Sequence, residues 1–317
     1  MSVIGTTDLR SLLRTIVPAL ASSGEGSLST LVGSHVFDQK LDGVRALAAF
    51  DEDGLTLRNR NGRDLTLTYP DLAAGADGLL PHPLILDGEI VAQDGAFQDI
   101  ARRDRLTKPF QVAQAMRTTP ARFVAFDVLW APERGDVRHL PYRERRALLD
   151  ALGLSSASWG TSRVSDSPAL YEEIKAAGGE GVIAKRLTSP YGGGRSSSWQ
   201  KFKTTQSVTC IAIGYEEGQG KRAFMGAIML AMLGPEGAVV VGKAGSGFTD
   251  RSAREMKDLL DAAAVALDPS LLPIVEIECL GRTRENKLRQ PTYKGIRIGD
   301  CTLADASISQ LDAVPRS

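Results

Sequence analysis

Five charged residues with side chains suited to phosphate chemistry stand beside glycines or at the ends of short apolar segments: Lys40, Glu89, Glu180, Lys201 and Lys203. Carboxylate oxygens hold Mg²⁺, and lysines meet phosphate as point charges. Lys201 and Lys203 alternate along the chain, so a strand would present both on one face. Together the five predict a site for a metal-bound polyphosphate. Each one alone is equally consistent with a residue on a solvated surface.

Lys40 is the candidate nucleophile of that site, because lysine amines form covalent intermediates. At pH 7 a lysine of ordinary pKa is neutral only at about the 0.1% level. A bound metal together with Arg45, Lys201 and Lys203 would place positive charge near Lys40 and lower its pKa. The residues alone therefore leave two interpretations open, nucleotidyl transfer and a surface lysine beside an Asp42-Gly43 hairpin turn.

Motif and spacing argue against two other kinds of site. The segment "GYEEGQGKR" places five residues between Gly214 and Gly220, where a P-loop has four. Arg222 also stands where a P-loop has the Ser or Thr that binds Mg²⁺. The sequence contains no CxxC or HExxH motif, which argues against a zinc site.

The chain of 317 residues, 43% hydrophobic and 24% charged, has the composition of a soluble globular protein and the length of two domains. A formal net charge of zero argues against a histone-like nucleic-acid binder. No apolar run approaches the ~20 residues that span a bilayer, and arginines interrupt the apolar N-terminal segment, unlike a secretory signal. Three widely spaced cysteines fit a reducing cytoplasm, which is the location we expect.

Two stretches are strongly basic although the whole chain is neutral. Residues 101–122 and 281–298 each contain six cationic residues and one acidic residue, a net charge of +5. One interpretation is a track for the phosphate backbone of a nucleic acid, with one stretch in each domain. The other interpretation is two solvated surfaces.

The elements that must position these residues are predicted from apolar spacing and turn signals. Residues 35–95 have a strand-like pattern, with Asp-Gly at 42 and 53 and Asn-Gly at 61 as candidate hairpin turns. A short amphipathic helix is predicted from Leu9, Leu12, Leu13 and Ile16. Further strands are predicted in "LILDGEIVA", "RFVAFDVLW" and "EGVIAKR", and further helices in "YRERRALLDAL" and "SPALYEEIKAAGG".

After Thr204 the pattern changes to short strands with glycine turns. One helix is predicted over Ser252 to Ala266, followed by a strand in "PIVEIECLG". This is about the content of a small five-stranded barrel with one helix. We therefore place a domain boundary at 203–206.

The charged residues belong to a set of motifs that resembles a known family. The motifs, in chain order, are "KLDGVR" at 40–45, "RNG" at 60–62, "LDGE" at 86–89, "FVAFDVL" at 123–129, "EGVIAKR" at 180–186 and "WQKFK" at 199–203. The chain resembles the ATP-dependent DNA ligases. It is most similar to the compact bacterial two-domain kind and to the ligase module of bacterial end-joining enzymes.

The resemblance implies an α+β fold in two parts. A nucleotidyltransferase domain with ATP-grasp-like antiparallel sheets and flanking helices would span residues 1–204, and a β-barrel OB-fold domain would span residues 205–317. It also implies ATP and Mg²⁺ or Mn²⁺ as cofactors. The implied substrate is nicked double-stranded DNA, bound by a monomer without membrane association.

The resemblance assigns catalytic and metal-binding roles to the five charged residues. Lys40 would attack the α-phosphate of ATP and carry AMP. Glu89 would bind the ribose and help to place the metal, and Glu180 would hold the catalytic Mg²⁺. Lys201 and Lys203 would contact the α-phosphate as charge moves to the leaving pyrophosphate.

Further nucleotide-binding roles follow from the same resemblance. Arg45 and Arg60 would contact the ribose or the nick phosphate, and Phe126 would stack on adenine. Lys185 belongs to the same implied binding set. Asp38 stands where many relatives have a glutamate that helps to read adenine.

The last motif of the family, Arg-x-Asp-Lys, is incomplete in this sequence. Arg289, Arg297 and Asp300 are available, but Cys301 stands where a lysine would follow. If Arg297 and Asp300 serve with one extra residue between them, they would orient pyrophosphate during the first step. Otherwise the first step would be less efficient.

Two other functions remain open at this point. The lysine motif also occurs in RNA ligases and in mRNA-capping guanylyltransferases, although the run "SPYGGGR" before "WQKFK" resembles the ligases. A nucleic-acid-binding relative that has lost catalysis is the third possibility. The intact set of Lys40, Glu89, Glu180, Lys201 and Lys203 argues against it.

Overall fold

The computed structural model describes residues 8–76, 78–93, 97–218, 225–297 and 301–315. The chain divides into two compact units, one up to Phe202 and one from Lys203 onward.

The first unit contains two β-sheets and several short helices. Its strands are β1 (Ala19–Ser23), β2 (His35–Gln39), β3 (Val44–Asp51), β4 (Gly54–Asn59), β5 (Leu84–Ala92), β6 (Ala121–Ala131), β7 (Gly135–Asp136), β8 (Trp159–Thr161), β9 (Val164–Ser165), β10 (Gly181–Arg186) and β11 (Gly194–Lys203). Its helices are α1 (Leu9–Thr15), α2 (Pro70–Ala76), α3 (Phe97–Arg103), α4 (Pro109–Thr118), α5 (Tyr142–Ala151) and α6 (Ala169–Ala176). The helices and strands predicted from "LILDGEIVA", "RFVAFDVLW", "EGVIAKR" and the two helical segments are confirmed.

The two sheets differ in strand order. The larger has the order β4-β3-β5-β6-β7 with β8 beside β6, and the smaller has the order β1-β11-β10-β2-β9. Within the described residues, β1–β11 and β6–β8 are parallel pairs, in contrast to the antiparallel sheets that we expected. Parallel partners are joined by long crossovers, so no local turn signal marks them.

Side-chain alternation along the larger sheet separates an inner core from a second face. Leu86 on β5 packs in a core with Phe123 and Trp159, whose rings lie 4.8 Å apart. On the opposite face Leu47 and Ile85 pack against α1 and the edge of the smaller sheet. Because side chains alternate along a strand, Arg45, Asp87 and Glu89 point to this second face.

Two of the three turns predicted at Asp-Gly and Asn-Gly pairs are confirmed, and one is wrong. Gly54 has a φ of 101° and closes the β3–β4 hairpin, and Gly62 has a φ of 93° in the next turn, so both turn predictions are confirmed. The hairpin prediction at Asp42-Gly43 is wrong, because β2 and β3 lie in different sheets. Gly43 is required there for another reason: a Cβ would lie 2.3 Å from the carbonyl oxygen of Ile90.

The second unit is built on an antiparallel sheet with one long helix. Its elements are β12 (Gln206–Glu216), β13 (Ala227–Gly234), β14 (Gly237–Ala244), α7 (Asp250–Ala266), β15 (Ile274–Cys279), β16 (Gly281–Arg282), β17 (Leu288–Arg289) and β18 (Thr292–Ile296). The five-stranded sheet has the order β14-β13-β12-β15-β18, and β16 pairs with β17. A capping box of Thr249 and Ser252 starts α7, and Met256 and Leu260 join the sheet core.

None of the helices in the described residues is long and apolar enough to cross a membrane. Cys210 and Cys279 are buried free thiols in the core of the second unit. Burial raises the pKa of Cys210 to about 12.

Candidate active site

A pocket of about 80 Å³ opens between the two sheets of the first unit. The strands β1, β2, β10 and β11 form one wall, and β3, β5 and β6 form the other. The lining residues are Ala21, Asp38, Gln39, Lys40, Leu41, Arg45, Glu89, Phe126, Ile183, Lys185 and Trp199. Six of the residues predicted from the sequence therefore meet in one cavity.

Lys40 lies directly after β2 and is bound at both its backbone and its amine. Its backbone N–H donates to the carbonyl of Gly181 over 2.9 Å. Its Nζ donates to Glu180 Oε2 over 2.6 Å. The Glu180 side chain is 6% exposed and that of Lys40 is 22% exposed, so the amine is the more accessible member of the pair.

Asp38 and Lys185 form a second ion pair, buried in the pocket wall. Lys185 Nζ lies 2.6 Å from Asp38 Oδ2 and donates to the carbonyl of Phe126 over 3.0 Å. Burial lowers the pKa of Lys185, and the carboxylate of Asp38 opposes that shift. Among the described residues Asp38 Oδ1 has no hydrogen-bond partner although it is buried, so the pocket contains an unused acceptor.

Arg45 and Glu89 face each other across the β3–β5 ladder. Arg45 donates from Nε and Nη2 to the two carboxylate oxygens of Asp87 over 2.6 and 2.5 Å. Burial raises the pKa of Glu89 to about 7, although Arg45 and Lys40 act in the opposite direction. Glu180 and Asp87 add to the increase. Glu89 is therefore a pocket carboxyl whose ionisation is opposed by burial near neutral pH.

Two aromatic rings, Phe126 and Trp199, meet edge to face with centroids 6.0 Å apart. The guanidinium carbon of Arg45 lies 4.4 Å from the Phe126 centroid. Lys185 Nζ lies 4.5 Å from the Phe126 centroid and 4.3 Å from that of Trp199. Arg45 and Lys185 therefore each pack against an aromatic face as well as pairing with a carboxylate.

The remaining predicted residues of the first unit do not line this pocket in the described part of the chain. Glu180 contacts the pocket residue Lys40. Arg60 is exposed in the turn after β4. Lys201 lies on β11 opposite Ser23 of β1.

Lys203, Arg289 and Arg297 belong to the second unit. Lys203 Nζ donates to Gln290 Oε1 over 2.9 Å. Arg289 lies on β17, where burial lowers its pKa, and the backbone N–H of Arg297 donates to the carbonyl of Ile274 over 2.8 Å. Asp300, the last member of the predicted pyrophosphate motif, lies outside the described residues.

A family model described as the ATP dependent DNA ligase domain matches residues 18–203, which include the whole pocket. The chain belongs to the ATP-dependent DNA ligase domain family. This confirms the resemblance inferred from the motifs.

Named relatives extend the similarity of this ligase domain beyond the matched region. It is 32% identical over 300 residues to the multifunctional non-homologous end joining protein LigD of Mycolicibacterium smegmatis, covering 88% of this chain and 38% of the relative. It is 33% identical over 271 residues to a DNA ligase of Pyrobaculum calidifontis, covering 77% of this chain and 46% of the relative. The ligase domain thus spans less than half the length of these two relatives.

Solved structures agree with this assignment. The ligase domain of LigD from M. tuberculosis matches with a TM-score of 0.52 and 28% identity, covering 96% of this chain and 99% of that chain. A mycobacterial DNA ligase D complexed with ATP and MES matches with a TM-score of 0.51 and 27% identity, covering 92% and 98%.

The ligase domain also relies on buried residues that sequence reasoning missed. Asp127 and Arg145 are both 0% exposed and form an ion pair of 2.8 Å beneath the pocket. Asp87 is also fully buried. Asp87 and Asp127 each interrupt an apolar strand, and a carboxylate in such a strand indicates a buried partner. The sequence offered no comparable signal for Arg145.

The donor set of the ligase domain suits Mg²⁺ bound together with a nucleotide. Across the described ranges no three His, Cys, Asp or Glu residues form a metal-binding group. Mg²⁺ commonly takes one or two protein carboxylates and completes its shell with substrate phosphates and water. Glu89 and Glu180 fit that pattern as two carboxyls of one site, since the charge of Glu180 adds to the increase in the pKa of Glu89.

Proposed function

We propose that this ligase domain seals nicks between a 5′-phosphate and a 3′-hydroxyl in duplex DNA, using ATP and an AMP group carried on Lys40. The observation that carries the proposal is the position of Lys40. Lys40 lines the same pocket as Asp38, Phe126 and Glu89, and its amine is paired with Glu180.

The pocket wall suits adenine better than guanine. The unused acceptor Asp38 Oδ1 would accept a hydrogen bond from the exocyclic amine of adenine, whereas guanine would present a carbonyl oxygen there. Lys185 holds the other oxygen of the same carboxylate and so fixes its direction. Phe126 and Ile183 would supply the apolar surfaces for stacking. This favours ATP over the GTP of a capping guanylyltransferase.

The proposed chemistry has three steps. Lys40 Nζ attacks the α-phosphorus of ATP, forming a P–N bond while pyrophosphate leaves. The AMP then passes to the 5′-phosphate of the nick, and the P–N bond breaks. Finally the 3′-hydroxyl attacks that phosphate, and AMP leaves. Bound Mg²⁺ would neutralise developing phosphate charge.

The roles of the individual residues follow from these steps. Glu180 and Glu89 would hold the Mg²⁺, and the Lys40 amine would leave its bond to Glu180 before it attacks. Lys201 and Lys203 would stabilise charge on the α-phosphate. The ribose or nick-phosphate contacts are proposed for Arg45 and Arg60, and the pyrophosphate contacts for Arg289 and Arg297.

We propose the same division into domains as the motifs imply: a nucleotidyltransferase domain over 1–204 and an OB-fold domain over 205–317. The second unit supports this with a five-stranded antiparallel sheet whose helix α7 follows the third strand.

Part of the first basic stretch is suited to contact DNA phosphates. Arg103 is buried and paired with Asp71, so it contributes no surface charge. Exposed cations of this stretch are Arg102, Arg105, Lys108 and Arg117. In view of the LigD relatives we propose end joining as the setting. Binding to nicked DNA should weaken steeply with salt.

Labelling with α-labelled ATP or GTP and Mg²⁺, followed by denaturation, tests the function. A covalent label from ATP that is lost in Lys40→Ala and kept in Lys175→Ala, an exposed lysine of α6, supports a ligase. A label from GTP alone would indicate capping. Chasing the labelled protein with nicked DNA or nicked RNA distinguishes a DNA from an RNA ligase. No label, with no sealing of pre-adenylated nicks, would exclude the enzyme.

A further inference from the structure

A closed ring of hydrogen bonds lies behind Arg45. The backbone N–H of Ala19 donates to the Tyr191 hydroxyl over 3.0 Å, and that hydroxyl donates to Asp87 Oδ2 over 2.6 Å. Arg45 Nη2 donates to the same carboxylate oxygen over 2.5 Å and to the carbonyl of Ala19 over 3.3 Å. The ring thus begins and ends at one residue of β1.

The direction of each bond in the ring is fixed by its donors. The Ala19 N–H can only donate, so it occupies a lone pair of the Tyr191 oxygen. The hydroxyl proton is then available for Asp87, whose side chain is fully buried. Burial, reinforced by the charge of Asp87, raises the pKa of Tyr191 well above its ordinary value. The phenol therefore remains a donor at physiological pH.

Tyr191 is itself held on two sides. Its backbone N–H donates to the carbonyl of Arg138 over 2.8 Å. Its ring meets that of Trp199 edge to face, with centroids 6.0 Å apart, and Trp199 lines the pocket. The hydroxyl is consequently presented to Asp87 from a fixed position.

We propose that Tyr191 is a positioning residue for nucleotide binding, which orients Asp87 and through it holds the Arg45 guanidinium over Phe126. This rests on the proposed function, because Arg45 acts on the ribose or phosphate of the bound nucleotide. Without the hydroxyl, Asp87 loses one of its donors and the Ala19 N–H loses its acceptor. The carboxylate can then rotate, and Arg45 is no longer confined to one orientation.

Tyr191→Phe removes the hydroxyl and keeps the ring. We expect the ATP concentration for half-maximal labelling of Lys40 to rise about 10-fold, with a smaller change in the rate at saturating ATP. Asp87→Asn should have an effect in the same direction. Tyr69→Phe is the matched control, since Tyr69 is also buried and its hydroxyl bonds to Asp104, outside the pocket. Thermal unfolding of each variant verifies folding.

A double-mutant cycle with Arg45→Ala separates positioning from a general structural role. If Tyr191 acts through Arg45, Tyr191→Phe should raise the ATP requirement in the wild-type background and have no further effect in the Arg45→Ala background. An equal effect in both backgrounds, or none in the wild type, overturns the proposal. Failure of the proposed function looks different, because the wild-type protein itself would take no label.

Discussion

Lys40 Nζ and Glu180 Oε2 lie 2.6 Å apart, so the proposed nucleophile and a proposed metal ligand are paired with each other. An amine held by a carboxylate at this distance must leave that bond before its nitrogen can attack phosphorus. Metal binding to Glu180 would thus be coupled to release of the amine.

Glu180→Gln should have two opposite effects on Lys40. Removing the carboxylate breaks the ion pair that holds the amine, so Lys40 should react faster with trinitrobenzenesulfonate at pH 8, as measured by peptide mass spectrometry. Labelling by ATP should nevertheless fall by about 10²-fold or more, because a proposed metal ligand is lost. Lys175 provides the internal reference. An unchanged rate of modification at Lys40 would contradict the coupling.

Glu89 should make stability depend on pH in the metal-free protein. Its pKa rises from 4.5 to about 7 on folding, chiefly through burial. A raised carboxyl pKa stabilises the fold below about pH 4.5, and this contribution is lost as pH rises to about 7. Glu89→Gln carries no charge, so its stability relative to wild type should increase over that window by on the order of 2 kcal/mol.

Urea unfolding in EDTA at pH 5, 6, 7 and 8 measures the Glu89 effect. Other titrating groups are the same in both proteins and cancel in the difference. A difference that stays constant from pH 5 to pH 8 would show that Glu89 titrates as an ordinary surface carboxyl.

The buried ion pair of Asp127 and Arg145 should be essential to the fold beneath the pocket. Asp127→Ala leaves the guanidinium buried without its carboxylate, and we expect a loss of about 3–5 kcal/mol. Glu173→Ala is the control, because Glu173 pairs with Arg163 at an exposed site where ion pairs contribute about 0–1 kcal/mol. Denaturant midpoints compare the two, and equal losses would argue against the prediction.

Gly43→Ala should disturb both the fold and the proposed metal site. The added Cβ would lie 2.3 Å from the Ile90 carbonyl oxygen and 2.9 Å from Glu89 Cγ. Relieving this overlap should cost about 1–3 kcal/mol and displace the Glu89 side chain. Gly192→Ala, which meets no atom within 4 Å among the described residues, should be close to neutral. Thermal melts and ATP labelling of both variants test this.

Elements with a local signal were predictable. The strand β5 was apparent as a short apolar run and the helix α5 from its apolar spacing, because each pattern is contained in one segment. The Asp42-Gly43 hairpin was wrong because β2 pairs with β10, far along the chain, rather than with β3. Likewise nothing near Ala19 indicates its parallel partner at Gly194.

The charged positions of the pocket were found for a similar reason. Lys40, Arg45 and Glu89 each lie in a compact motif, so the sequence alone identified them as candidate site residues. Tyr191 and Arg145 were missed because their partners, Asp87 and Asp127, are distant in sequence. In the sequence alone, a tyrosine beside glycines and an arginine on a helix are both typical of surface residues. Only the fold shows that each one contacts a buried carboxylate.

The ring behind Arg45 closes through the peptide groups of Ala19 and not through its side chain. An alanine scan would pass over this position entirely, since the residue is already alanine. Most other residues would retain both the N–H and the carbonyl, and proline alone would remove the donor. The contact between β1 and the active site therefore depends on the position of the main chain at Ala19. Only a backbone substitution such as an amide-to-ester exchange would test it.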